Sequence, residues 1–167
     1  MTRSKPISLI ALLLAESFLV VALANAQAAG GALQAWDVGA DMRLTPASIE
    51  TTRGSEASAE AFRNEVVSMQ FAVWAAQTLK PFKATCGATS ARNAKPLPCS
   101  WVQIRYPGYV PVVERGELMA DPLLTSPPAE IKPNWTQGIW LTISVPSDAT
   151  PGDYKGALRI QAGSESK

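Results

Sequence analysis

Near the end of the chain, Ile139, Leu141, Ile143 and Val145 alternate with Trp140, Thr142 and Ser144. A period of two places the aliphatic side chains on one face of an extended strand and the rest on the other. Tyr154, Leu158 and Ile160 repeat the pattern against Lys155, Ala157, Arg159 and Gln161. Between the two runs lies PSDATPGD, in which Pro146 stops the first strand and Pro151-Gly152 favours a turn. The link is too long for a two-residue turn, so the pair is either a wide hairpin or a crossing between sheets. SWVQIRY (100–106) alternates in the same way, with Val102, Ile104 and Tyr106 set against Trp101, Gln103 and Arg105. LQAWDV, PFKATC and GYVPVV are shorter strand candidates. The last reads as an edge, because Pro111 has no N–H to give a neighbouring strand. Prolines recur through the second half and exclude long helices there.

One stretch resists this reading. In SAEAFRNEVVSMQFAVWAAQTLK, Phe62, Val66, Met69, Val73 and Ala76 form a helical stripe, while Val67, Met69, Phe71 and Val73 form one face of a strand. Alanine and glutamate favour the helix; the β-branched and aromatic run EVVSMQFAVW favours the strand. On pattern alone the two are level.

The N-terminus follows a different rule. Arg3 and Lys5 precede an apolar run that ends at Ala24-Asn25-Ala26, small residues at the spacing a signal peptidase accepts. Residues 1–26 are expected to be a secretory signal cleaved after Ala26 or Ala28, leaving no stable membrane span. Glu16 within the run disfavours a retained anchor, since a mid-span carboxylate costs about 2.5–3.5 kcal/mol on insertion scales. No cysteine follows the run to carry a lipid. The expected destination is the periplasm or the extracellular space.

Cleavage would also change the charge. The full sequence has 15 basic and 14 acidic residues, and the leader takes two of the first and one of the second, leaving a neutral chain. Nucleic-acid binding needs clustered cations, which are missing, so that class is excluded. The remainder is one ordinary domain, short of the about 250 residues of a barrel enzyme. It is read as a β-sandwich over residues 30–162, with 163–167 as a polar tail or the start of a linker.

Cys86 and Cys99 are the only cysteines, and GATSARNAKPLP between them is turn-rich. In an exported chain this pair is expected to be a disulfide closing a loop at its base. Two thiolates without histidine do not complete a zinc site, and no metal or cofactor is expected. Histidine is absent altogether, which removes Ser-His-Asp and Cys-His chemistry. A carboxylate pair of the glycosidase kind is conceivable. However, Asp148 and Asp153 lie in a Pro/Gly loop, Glu114 adjoins Arg115 and Glu130 is near Lys132, which reads as solvated surface. No catalytic residue is assigned.

RNEVVSMQFAV, the later DPLL and the closing IWLTISVPSDATPGDYKGALRI resemble the N-terminal β-sandwich of glycoside hydrolase family 123 and its relatives. The shared positions are Arg63, Glu65 and Gln70, then Trp140, Val145, Pro146, Ala149, Gly152, Tyr154 and Gly156. The resemblance implies an all-β fold, an immunoglobulin-like or antiparallel β-sandwich behind the signal peptide, with the ambiguous stretch as a strand. It implies structural roles: Gly152 for a turn, Tyr154 for the core, Pro146 as a strand stop, and Arg63 with Glu65 as a pair along or across the sheet. It also implies an exported carbohydrate-active enzyme in which a (β/α)₈ barrel follows this domain and cleaves N-acetylgalactosaminides. The family's catalytic pair lies outside the matched stretch.

The expectation is therefore a non-catalytic accessory domain, a fragment without its barrel, whose partner is that barrel or a glycan. The alternative is a free-standing carbohydrate-binding or adhesin-like module. If the aliphatic faces point inward, Trp74, Trp101 and Trp140 all point outward, as a sugar platform or an interdomain contact.

Overall fold

The computed structural model describes residues 7–14 (backbone only), 33–49, 54, 56–88, 94–112 and 116–162. These form two packed sheets. The first has strand order β3 (Glu56–Ala61), β1 (Ile7–Leu14), β10 (Tyr154–Ala162) and β5 (Phe82–Ala88), with the two-residue β6 (Lys95–Pro96) also on β10. The second runs β2 (Leu33–Val38), β4 (Val66–Ala75), β9 (Trp135–Ser144), β7 (Val102–Val112) and β8 (Glu117–Leu124), every neighbour antiparallel.

The disputed stretch is a strand. Met69, Phe71 and Val73 of β4 point into the sandwich with Ile139, Leu141 and Ile143 of β9, Met69 paired with Leu141 and Phe71 with Ile139, and all six are buried. Phe82, Ala84, Tyr154 and Leu158 close the core from the first sheet. Tyr106 joins the two layers: its hydroxyl accepts from Ala84 N (3.0 Å) and donates to Ala84 O (3.3 Å), and its ring meets Phe82 edge-on. Burial pushes the Tyr106 phenol up, against a smaller opposing pull from the backbone hydrogen bond.

β9 and β10 lie in different sheets, so the link between them is a crossing and not a hairpin. It is pinned as the sequence suggests. Pro146 follows the end of β9, Gly152 takes φ 142, open only to glycine in practice, and the Tyr154 hydroxyl donates to Thr150 O at 2.7 Å. The GYVPVV edge reading also holds: from Tyr109 to Val112, β7 pairs with β8, while its register with β9 ends at Arg105.

The first sheet departs from an antiparallel pattern at β1, which is parallel to β10 and antiparallel to β3, and at the short β6, which is parallel to β10. β1 lies inside the segment expected to be a secretory leader; the rest of that segment and the 163–167 tail lie outside the described residues. A leader removed after Ala26 takes β1 with it and leaves the facing edges of β3 and β10 unpaired.

Candidate functional site

The outer face of the second sheet carries its own chemistry. Cross-strand register aligns Val38, Gln70, Trp140 and Arg105 in one row across β2, β4, β9 and β7. The segment 39–49 is strapped over this face. Leu44 O accepts from Ala120 N (2.9 Å) and Pro46 O from Thr136 N (2.8 Å), and the Thr136 hydroxyl donates to Ser48 O. Leu44 of the strap closes a second buried cluster with Trp36, Val38, Ala72 and Ala120 beneath it, and Trp74 and Tyr109 pack at its margin. Gly138 makes this approach feasible, since a Cβ there would stand 3.0 Å from Pro107 and 3.2 Å from Leu44.

Between the strap and β8 a cleft of ≈ 220 Å³ opens onto the row. Gln70 and Trp140 line it from the sheet, Asp41 and Arg43 from the strap, and Asp121 and Leu123 from β8. Gln70 is 2% exposed, and its Oε1 has no hydrogen-bond partner. A buried acceptor left unmade costs about 1–3 kcal/mol. Arg105 Nε and Trp74 Nε1, on the same face, are also sealed without partners. Among the described residues no cluster of carboxylates and cysteines could hold a metal ion.

A second cleft of ≈ 330 Å³ lies across the β7–β8 ribbon, lined by Tyr109, Leu124, Lys132, Trp135 and Gln137 among others. Two of its polar side chains are bonded to backbone carbonyls. Gln137 Nε2 donates to Pro107 O and Gly138 O, both at 3.0 Å, and the Tyr109 hydroxyl donates to Thr136 O. Burial pushes the Tyr109 phenol far up, so it stays protonated through neutral pH and is not a proton acceptor there. Trp135 meets Tyr109 edge-on, with Lys132 Nζ 5.3 Å from its ring centroid.

The three tryptophans expected on one outward face do not gather. Trp74 and Trp140 share the outer face of the second sheet, Trp140 in the first cleft and Trp74 at the buried cluster. Trp101 is elsewhere. It ends a 3-10 turn, Cys99–Trp101, before β7 begins, and packs on the main core with its ring 5.2 Å from that of Tyr154. The strand alternation starts one residue after it, so the period-two argument does not reach it. Cys86 and Cys99 form a disulfide with a Cα separation of 5.6 Å.

The motif residues also sort themselves. Glu65 sits in the turn before β4, where its carboxylate accepts from Phe62 N (2.6 Å) instead of pairing with Arg63 along the sheet. Its backbone joins Val145, as does that of Asn64, clipping the turn to the end of β9. Arg63 is exposed in the same turn, and Gly156 is buried in β10. Gln70, grouped in sequence with structural positions, is the direct cross-strand partner of Trp140 in the cleft. Asp41, Arg43 and Asp121 carry no sequence signal, because only the strap and the β8 edge bring them to that row.

Comparison with known proteins adds three findings. No curated protein matches the chain. Among solved structures, a family 123 glycoside hydrolase from Clostridium perfringens, studied for glycolipid glycan hydrolysis, aligns at TM-score 0.50 and 14% identity. The alignment covers 64% of this chain but 20% of that one, so the chain spans about a fifth of that enzyme's length and shares its fold there. The sequence profile of the glycoside hydrolase 123 N-terminal domain matches residues 42–162, from the strap through the last strand. The chain belongs to the glycoside hydrolase 123 N-terminal domain family.

Proposed function

We propose that this chain is the non-catalytic accessory sandwich of an exported, glycan-degrading enzyme, in which a separate barrel supplies the reacting groups and this domain supports or orients it. The profile match over 42–162 carries the reading. Two features are in keeping with it. The N-terminal segment has the charge, apolar run and small residues of a secretory leader, and a disulfide suits an oxidising compartment. The wider match, confined to a fifth of the related enzyme, leaves room for catalysis outside this domain.

The test has two readouts on the same exported material. N-terminal sequencing is expected to start at Gln27 or Ala29, the residues after the two small-residue sites. Aryl N-acetylgalactosaminides incubated with the purified chain are expected to show no turnover above buffer. Hydrolysis that co-purifies with the chain to homogeneity would remove the accessory reading. An intact N-terminus on exported protein would remove the cleaved leader and make β1 a permanent strand.

A further inference from the structure

We propose that the cleft between the 39–43 strap and β8 is a binding site for a single uncharged pyranose residue, such as the exposed end of a glycan. The inference deepens the accessory reading above and rests on it for the compartment and for the neighbouring enzyme.

The floor of the cleft is the first reason. Gln70 is almost wholly buried, with its amide oxygen sealed and unpartnered, and its side chain lines the cleft wall directly across from Trp140. A side-chain amide turned end for end offers donors or an acceptor from nearly the same shape, so it can answer either sense of a sugar hydroxyl. An indole beside it supplies an apolar surface for the C–H face of a ring. These two groups sit 70 positions apart in sequence and meet only through the β4–β9 register.

The charges at the rim select the class. Asp41 and Asp121 line the cleft with Arg43, and Arg105 stands beside Trp140 in the same row, so the charges balance and the mouth has no excess of positive charge to hold phosphate, sulfate or an acidic sugar. Carboxylates accept from hydroxyls and the guanidinium donates to them, which suits a neutral polyol. The size then limits the length. At ≈ 220 Å³ the cleft falls below the ~300–1,000 Å³ typical of drug-sized ligand pockets, fitting one ring with the rest of a glycan left in solvent.

The walls are already in place. The carbonyls of Leu44, Pro46 and Ser48 accept from Ala120 N, Thr136 N and the Thr136 hydroxyl, which anchors the strap to β8 and β9 directly after its 40–43 cleft wall and limits the ordering needed on binding. In the larger second cleft the amide of Gln137 and the hydroxyl of Tyr109 are already committed to backbone carbonyls, whereas the Gln70 amide has no partner for its oxygen.

The test is a titration of the purified chain with the methyl glycosides of N-acetylgalactosamine, galactose and glucose, followed by tryptophan fluorescence and amide NMR shifts. At least one is expected to bind at roughly millimolar affinity, as a small ligand allows. Shifts should be confined to residues 40–43, 70, 120–123 and 140. Trp140→Ala should weaken binding by roughly tenfold or more. Gln70→Leu keeps the side-chain volume and removes the unpaired oxygen, so the fold should survive while binding falls by a similar factor. Trp101→Phe, remote from the cleft, should leave affinity unchanged. The proposal is overturned by the absence of shifts with all three sugars, by binding that survives both cleft variants, or by stronger binding of galacturonate than of galactose. Hydrolysis of the glycosides would instead overturn the accessory reading, whereas no binding with no turnover removes this proposal alone.

Discussion

Phe71→Ala is expected to destabilise the domain by about 3–5 kcal/mol, while Val66→Ala, five residues earlier on the same strand, should stay within about 0.5 kcal/mol of the parent. Phe71 is fully buried at the centre of β4, between Asp37 of β2 and Ile139 of β9, and its ring fills the space between the sheets. Truncation loses the transfer free energy of the ring and leaves a cavity that packed neighbours only partly close. Val66 opens the same strand and is 58% exposed, so its methyl groups leave little behind. Equilibrium urea unfolding decides the matter through the two midpoints at constant m-value. Since a domain's whole stability is about 5–15 kcal/mol, the first variant should be visibly marginal. Similar midpoint shifts for both would mean that β4 is not in this register, because a slip of one residue exchanges its two faces.

The strand that this pair probes is also where the sequence was hardest to read. Strands with one covered face were legible from alternation, as in Val102, Ile104 and Tyr106 of β7 or Ile139, Leu141 and Ile143 of β9. β4 is covered twice. Met69, Phe71 and Val73 face the main core, while Gln70, Ala72 and Trp74 face the strap and its cluster, so burial runs unbroken from Met69 to Val73. An uninterrupted run has no period, and a helical stripe fits it as well as a strand does. Only the family motif separated them.

The outer-face site was legible in fragments. Alternation puts Trp140 on the face turned from the core and the motif marks Gln70, but their meeting depends on a register between strands that sequence alone does not supply. Asp41 and Asp121 reach the cleft through a strap and an edge strand whose positions follow from tertiary packing. Trp101 failed for a local reason. Pro98 and the Cys99 bridge impose a turn, and the first strand residue is Val102. The closing pair was read correctly as two strands with a long link, and the crossing between layers was one of two readings the link length permitted.

That bridge carries the remaining large effect. Replacing both Cys86 and Cys99 with alanine is expected to cost about 3 kcal/mol, the chain-entropy value for a loop of roughly this length. The two half-cystines are 13 positions apart and 5.6 Å between Cα atoms. Their placement matters more than the loop they close. Cys86 lies in β5 of the first sheet, across from Leu158, while Cys99 opens the turn that feeds β7 of the second, so the bond ties the layers at the point where the chain changes sheet. The Tyr106 hydroxyl, bound to Ala84 two residues before Cys86, makes a second tie between the same strands. The double alanine variant should therefore still fold, with its urea midpoint lowered and its m-value kept or raised as the unfolded chain loses a crosslink. Non-reducing peptide mapping of exported protein should recover both cysteines in one linked fragment. Free thiols at both positions, or a double variant as stable as the parent, would show that the two layers are held by packing and the tyrosine tie alone.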